Sequence, residues 1–245
     1  PEAMARPFLA RDRVRFVGEP LAVVLADDPY RAADAADAVW ADIEPLKAVV
    51  DMDDALSAET LLFDDLGHNI CWEQSARTPI DFVDCEVVVE ADLVNSRVAA
   101  VSIEARVATA TYEDDRLTCW ASSQGAHSYR EDVARALGLD SDDVRVVVTD
   151  VGGGFGAKGM ASEEEIVVAQ LARLHGRPVR WAETRTENLI GYVHGRAQNQ
   201  TITMGGTRDG RITHYRLRVV QDSGAYPKWG AFLPEFTRWM ASGVY

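Results

Sequence analysis

Cysteine and basic residues are scarce in this 245-residue chain. Its three cysteines, Cys71, Cys85 and Cys119, are odd in number and widely spaced, which fits neither a disulfide framework nor a zinc or iron–sulfur knuckle. We therefore expect reduced structural cysteines. Lysine and arginine number 25 against 39 aspartates and glutamates, and the net charge of −14 argues against nucleic acid as a partner.

Long apolar runs are also missing. No segment approaches membrane-spanning length, and no charged-then-apolar signal opens the chain, so we expect a soluble cytoplasmic protein without a membrane span. A hydrophobic content of 47% is enough for a real core. The chain starts at Pro1 and stops at Tyr245 just after an apolar, aromatic stretch, and we interpret both ends as cut.

Histidine offers no metal site by spacing. His68, His175, His194 and His214 are scattered without the intervals of metal ligands, so we interpret each of them as a non-ligand.

The first fifty residues predict a compact β–β–α–β unit. Two short β segments, Val14–Phe16 and Leu21–Leu25, precede a helix that starts at Asp28-Pro29, an N-cap followed by proline at the first helical position. Residues 43–50 are predicted to be extended, with Pro45 at an edge. The acidic residues 53–68 lack strong periodicity and are interpreted as a linker.

The rest of the chain predicts mixed sheets with flanking helices, an α+β fold. The predicted elements are β segments at 83–93, 98–112, 116–121, 144–148, 179–182, 201–204 and 211–221, with helices at 128–137 and 162–175. Glu113-Asp114-Asp115 predicts a hairpin turn, and Ser162 with Glu165 predicts a capping box. The β-branched run Val144–Val148 is typical of a strand buried on both faces.

The sharpest motif is the glycine loop, Gly152-Gly153-Gly154-Phe155-Gly156-Ala157-Lys158, between a predicted strand and a capped helix. Glycines reach positive φ and let amide N–H groups approach a ligand without a Cβ in the way. A row of such amides can receive a phosphate, an oxo group or another anion. A tight turn without a ligand remains the alternative. The spacing matches neither a Walker A loop nor the dinucleotide fingerprint.

Six sequence blocks in order resemble the large subunit of molybdenum hydroxylases, the family of xanthine dehydrogenase, aldehyde oxidase and carbon monoxide dehydrogenase. Residues 12–20, with 44–46 and 50–51, are similar to the family's small α/β hammerhead domain. The following blocks resemble the start of its cofactor-binding domain: 102–106, 122–127, 152–158, 177–181 and 187–189. The resemblance implies a hammerhead-like domain at 1–52, the linker at 53–68, and an incomplete first molybdopterin-binding domain at 69–245.

The same resemblance assigns cofactor contacts. Gln124 is expected near the molybdenum, where its amide N–H₂ can donate to an oxo ligand without adding charge. Gly153, Gly154, Phe155 and Gly156 are expected at the pterin and the oxo group, with Phe155 shielding the site from water. The chain itself is expected to supply no direct metal ligand.

Several neighbouring residues are weighed against these roles. Lys158 is either an anion support or a solvated or paired lysine, and Glu104 is interpreted as a structural hydrogen-bond anchor. Glu163, Glu164 and Glu165 are interpreted as capping groups at a helix N-terminus. Gly159 follows Lys158 where purine-oxidising members carry a substrate-binding glutamate, which argues against xanthine.

The family's chemistry hydroxylates an aldehyde, an N-heterocycle or a similar small molecule, or oxidises CO, with oxygen from water. Its general-base glutamate is expected outside this chain, in a missing C-terminal portion. Iron–sulfur clusters and FAD are expected on partner subunits or domains, and the cytosine dinucleotide form is one option for the molybdenum–molybdopterin cofactor. We expect the isolated chain to be inactive and to self-associate through Phe232, Leu233, Phe236, Trp239 and Met240. A non-catalytic binding or assembly module, and an unrelated α+β protein whose loop holds a simple anion, stay open.

Overall fold

The computed structural model describes residues 2–75 and 78–243. In these residues the α-helices are α1 (Pro29–Asp37), α2 (Met52–Ser57), α3 (Ala126–Leu137), α4 (Glu163–His175), α5 (Arg185–Gly191) and α6 (Leu233–Met240). The strands are β1 (Val87–Asn95), β2 (Val98–Ala99), β3 (Val107–Glu113), β4 (Arg116–Ala121), β5 (Val144–Val147), β6 (Val179–Ala182), β7 (His194–Gly195), β8 (Gln198–Gly206) and β9 (Ile212–Gln221). Mixed sheets with flanking helices confirm the α+β class.

The chain divides into two compact units. Unit 1 comprises the described residues within 1–5, 46–98 and 194–245, and unit 2 comprises residues 6–45 and 99–193. The predicted domain division at 53–68 remains a prediction.

Unit 2 is built on a four-stranded sheet in the order β5-β4-β3-β6. β3 and β4 form an antiparallel hairpin that turns at Asp114 and Asp115, both with positive φ, as the acidic turn predicts. β4 then runs parallel to β5, which requires a crossover, and α3 supplies it. Both α3 and α4 pack against this sheet.

The core of unit 2 lies between the sheet and the two helices. Inward side chains alternate along β3 and β4, so small and branched residues face α3 and α4. The largest fully buried side chains of this core are Leu117, Cys119, Tyr129 and Val133. Each helix ends at a glycine in the left-handed region, Gly138 for α3 and Gly176 for α4.

Unit 1 contains an antiparallel sheet in the order β1-β8-β9. β8 and β9 form the predicted hairpin, with an irregularity in register at Gly205/Gly206. A Cβ on Gly205 would lie 2.8 Å from the ring of Phe82, which explains the glycine at this point of the strand. α6 packs against β9.

The predictions for four β segments are wrong, wholly or in part. Val14–Phe16 and Leu21–Leu25 carry no strand, because no neighbouring strand in the described residues pairs with them. The predicted β segment 98–112 is interrupted between β2 and β3. β5 lies at an edge of its sheet and is only partly buried, so it is not the doubly covered strand that its β-branched residues suggest.

Other predictions are confirmed. α1 begins after Asp28, whose carboxylate accepts hydrogen bonds from the amides of Tyr30 and Arg31. The α4 capping box of Ser162 and Glu165 is present. The acidic stretch after Asp51 also holds a short helix, α2, that its sequence does not reveal. Among the helices of the described residues, none combines the length and apolarity needed to cross a bilayer.

Candidate functional site

The glycine loop connects β5 to α4 within unit 2 and has an irregular backbone. Gly153 and Gly156 have φ values of +100° and +86°, which favour glycine. Phe155 also has a positive φ, +52°, although it carries a bulky side chain, and 77% of its surface is exposed. Left-handed backbone at a bulky residue is costly and is concentrated at functional sites, so this loop is a candidate site.

The amides of the loop fall into two groups. Those of Gly152, Gly156 and Lys158 donate to side-chain oxygens of the same unit, and that of Ala157 donates to the Gly154 carbonyl. In the described part of the chain, the amides of Gly153, Gly154 and Phe155 have no acceptor. Three successive unpaired N–H donors on such a backbone are the chemistry of an anion-binding loop.

Gln124 follows β4 and lies beside the loop. Its side-chain Oε1 accepts hydrogen bonds from the backbone amides of Gly156 at 2.8 Å and Lys158 at 3.3 Å. Its backbone N–H donates to the Lys158 carbonyl at 2.9 Å. Because both of these partners are N–H donors, the side-chain oxygen of Gln124, and not its nitrogen, must face them. The Nε2 group of this exposed residue therefore keeps its donors available, with no acceptor among the described residues.

Gly154 lies directly against Gln124. A Cβ at this position would lie 2.6 Å from both Cγ and Cδ of Gln124, which is shorter than the contacts that Cβ atoms make in proteins. The glycine therefore allows the glutamine to reach the loop amides. The five predicted cofactor residues, Gln124, Gly153, Gly154, Phe155 and Gly156, lie together in one unit.

Beneath the loop lies a buried polar cluster that includes Lys158. The lysine is only 3% exposed, and its Nζ donates to Ser122 Oγ at 2.7 Å, to the Glu104 carbonyl at 2.8 Å and to Glu104 Oε2 at 3.1 Å. All three donors of the ammonium group are used. The interpretation of Lys158 as an anion support is therefore wrong, and the paired alternative is confirmed.

Glu104 is the acceptor on which this cluster converges. Its Oε2 accepts from Ser122 Oγ, from the Gly152 amide at 2.9 Å and from Lys158 Nζ. Burial opposes ionisation, but these hydrogen bonds outweigh it and lower the pKa of Glu104 below its ordinary value. The predicted role of Glu104 as a structural anchor is confirmed.

A second buried cluster holds the start of α4. Arg106 is almost fully buried, donates to Glu183 and Glu164, and stacks against the rings of Trp181 and Tyr192 at 5.1 and 4.2 Å. Burial opposes ionisation of Glu164, but the nearby arginines outweigh it and lower its pKa to about 2.

The glutamates at the α4 N-terminus therefore have different roles. Glu165 caps the helix, as predicted, whereas Glu163 and Glu164 both bind Arg6, at 3.0 and 2.7 Å. All three lie in the first turn of α4, where the prediction places them, and the ion pairs with Arg6 are an additional role that a partner distant in sequence supplies.

The described residues contain no cluster of side chains suited to bind a metal ion. Within residues 2–75 and 78–243, no three histidine, cysteine, aspartate or glutamate side chains are grouped to hold a metal ion. The three cysteines are free thiols.

The fold and the loop together define a domain with a row of unpaired backbone donors between a strand and a helix. The family model described as the molybdopterin cofactor-binding domain matches residues 63–245, and the chain belongs to this family.

Relatives with known names agree with this membership. The nicotine 6-hydroxylase large subunit of Paenarthrobacter nicotinovorans is 36% identical over 92% of this chain and 28% of that protein. The carbon monoxide dehydrogenase large chain of Hydrogenophaga pseudoflava is 31% identical over 89% of this chain and 30% of that protein. The crystal structure of quinoline 2-oxidoreductase from Pseudomonas putida 86 superposes with a TM-score of 0.84 at 37% identity, over 90% of this chain and 29% of that one. The chain therefore spans less than a third of each of these relatives.

Proposed function

We propose that this chain supplies part of the molybdopterin site of a molybdenum-dependent oxidoreductase. The whole enzyme would hydroxylate an N-heterocycle, an aldehyde or a similar small molecule, or oxidise CO, with oxygen from water. The observation that supports this most directly is the row of unpaired amides at Gly153, Gly154 and Phe155 beside the open N–H₂ group of Gln124. Membership of the molybdopterin-binding family supports the same cofactor.

The glycine loop and Gln124 have the chemistry to hold a molybdopterin cofactor. Neutral amide donors suit anionic sulfur and oxygen atoms, because they stabilise negative charge without a titratable proton. Gly153, Gly154 and Phe155 would hold the cofactor through their unpaired amides, and Gly156 would leave the space beside the loop open for it. Gln124 would donate from Nε2 to an oxygen ligand of the metal. When bound, the cofactor supplies the two-electron chemistry that the side chains of this chain lack. The exposed ring of Phe155 would limit the access of water.

The remaining parts of the enzyme belong to the proposal as well. A general-base glutamate outside this chain would take a proton at the reacting oxygen, and iron–sulfur clusters and FAD on partner subunits would receive the electrons. Two similar proteins, at 36% and 37% identity, are named for nicotine and quinoline, which favours an N-heterocycle over CO. Gly159, in place of the purine-binding glutamate, argues against xanthine. The division at 53–68, the dinucleotide form of the cofactor and a cytoplasmic location are parts of the same proposal.

Comparison of two glycine substitutions in the complete enzyme tests the site. Gly154→Ala places a Cβ against Gln124 and should lower molybdenum and pterin content severalfold, because glutamine and loop can no longer keep their positions. Gly195→Ala is the matched control, since its Cβ would make only an ordinary contact at 3.7 Å. Metal analysis and pterin fluorescence of both purified proteins measure the effect.

Each outcome has a distinct meaning. Full cofactor content in the Gly154 variant would contradict the assignment of the loop. Absence of molybdenum and pterin from the wild-type complex would favour the alternative of a binding or assembly module with the same fold.

A further inference from the structure

The two ends of the glycine loop are fastened to the same carboxylate. At the first residue, the Gly152 amide donates to Glu104 Oε2, and the Gly152 carbonyl accepts from the Glu104 amide at 3.2 Å. At the last residue, Lys158 Nζ donates to Oε2 and to the carbonyl of Glu104. Ser122 closes the circuit by contacting both Glu104 and Lys158. The loop is therefore clamped at both ends by groups beneath it.

We propose that Glu104, Ser122 and Lys158 form a latch that sets the conformation of the glycine loop and so orients its unpaired amides before a cofactor binds. The inference rests on the proposed function, since the amides are assigned there to the cofactor. None of the three is a catalytic residue. They are positioning residues that act through the loop backbone.

The geometry of Lys158 excludes direct contact with a ligand. Its ammonium group is buried, and each of its three donors already has an acceptor within the latch. A buried ammonium is stable only when it is paired and hydrogen-bonded. Lys158 is therefore committed to the protein, and any effect of its substitution on a cofactor must pass through the loop.

The close packing around Glu104 leaves the latch little freedom. A Cβ on Gly152 would lie 2.6 Å from the Glu104 Cβ, so the loop can approach the carboxylate only because this residue is glycine. From the other side, Gln124 Oε1 holds the amides of Gly156 and Lys158. Between these fixed points only Gly153, Gly154 and Phe155 keep unpaired amides. Donors that are fixed in advance bind charge more strongly, because they need no reorganisation.

The test is performed on the complete enzyme. Lys158→Met removes the ammonium and keeps the length of the side chain, whereas Lys158→Arg restores the charge and several donors. Loss of a hydrogen bond to a charged group should raise the hydrogen-exchange rate of the 152–158 peptide by about tenfold or more in Lys158→Met. Pterin content per folded protein should fall severalfold, and Lys158→Arg should recover part of both.

A core substitution provides the control for general destabilisation. Val133 is fully buried in α3 and is no part of the latch, so Val133→Ala should lower the melting temperature without changing exchange in the loop. Should Lys158→Met fail to fold, Ser122→Ala tests the same circuit by removing one hydroxyl. Loop exchange that stays at the wild-type rate in the folded latch variants would overturn the proposal.

Two further results separate this inference from the proposed function. Faster loop exchange with full pterin content in Lys158→Met, while Gly154→Ala loses its pterin, would overturn the positioning role alone. Full pterin content in both variants would overturn the assignment of the cofactor to the loop, and a latch that sets only the loop conformation would remain.

Discussion

At the scale of single residues, Gln124 has two chemically different ends with separate tasks. Its carbonyl oxygen braces the loop by accepting two backbone hydrogen bonds, and its N–H₂ group faces away from these donors. These two hydrogen bonds determine the orientation of the side-chain amide, because a flipped amide would place its N–H₂ group against two backbone N–H donors. A glutamine held in this way is a neutral donor of fixed direction.

We predict that Gln124→Glu and Gln124→Ala in the complete enzyme both slow turnover by about 10²–10³, the usual effect of losing one preoriented donor at developing charge. Glutamate keeps an oxygen that can accept from the amides of Gly156 and Lys158, so the melting temperature of the Gln124→Glu protein should stay near that of the wild type. Steady-state kinetics and thermal unfolding of the two variants provide the measurement. Undiminished turnover in Gln124→Glu would limit the residue to its bracing role.

At the scale of elements, the start of α4 concentrates buried charge beside the loop. Glu165 Oε2 accepts from both the amide and the hydroxyl of Ser162 at 2.8 Å. Burial nevertheless dominates and raises the pKa of Glu165 to about 7, against an ordinary value of 4.5. The folded protein therefore binds this proton more tightly than the unfolded chain does.

We predict a pH dependence of stability that Glu165→Gln removes. As the pH rises from about 4.5 to about 7, Glu165 ionises first in the unfolded chain, so the wild type should lose up to roughly 3 kcal/mol of stability. Glutamine cannot ionise and can still complete a capping box. Urea unfolding of both proteins at about pH 5 and about pH 8 gives the difference. Equal pH dependence in the two proteins would mean that Glu165 is ionised throughout this range.

At the scale of the whole molecule, apolar side chains remain uncovered. On α6 and the turn before it, Phe232, Phe236, Trp239 and Met240 are exposed, whereas Leu233 is half-buried. Four of the five residues predicted for an apolar surface therefore lie on one. Contiguous exposed patches of this kind mark association surfaces or aggregation liabilities.

We predict that the isolated 245-residue chain self-associates, binds little or no molybdopterin and shows no turnover with an artificial electron acceptor. Phe155 and the neighbouring Gly156 are exposed, so a cofactor at the loop would be held from one side only. Co-expression with the remaining polypeptide should restore molybdenum. Metal analysis and sedimentation of both preparations test this, and stoichiometric molybdenum with turnover in the isolated chain would contradict it.

Lysine substitutions on α6 and on α1 test whether the apolar surface of α6 causes the self-association. Trp239→Lys with Met240→Lys should reduce self-association, because both side chains are exposed, at 61% and 77%. Tyr30→Lys changes a still more exposed aromatic residue on α1, at 81%, and should leave association unchanged.

Local chemistry made much of this protein predictable from its sequence. The Asp28 cap, the capping box of α4 and the acidic β3–β4 turn depend on residues only a few positions apart, and all three occur as predicted. The glycine loop was also recognisable as a candidate site, with a tight turn as the alternative, because consecutive glycines reach positive φ and leave their amides open to a ligand. Its position beside Gln124 was predicted only through the family resemblance, which assigns both to one cofactor.

Tertiary structure alone decided which charges are buried and what they contact. Lys158 meets Glu104 across 54 residues, and Arg106 meets Glu164 and Glu183 across 58 and 77 residues. Residues 14–16 and 21–25 have the composition of strands, yet they belong to none of the sheets of the described residues, because a strand depends on the neighbour with which it pairs. The sequence by itself determined the elements that need only their own residues. Long-range packing determined the latch, the arginine cluster and the edges of the sheets, because pairing and burial are properties of the folded chain.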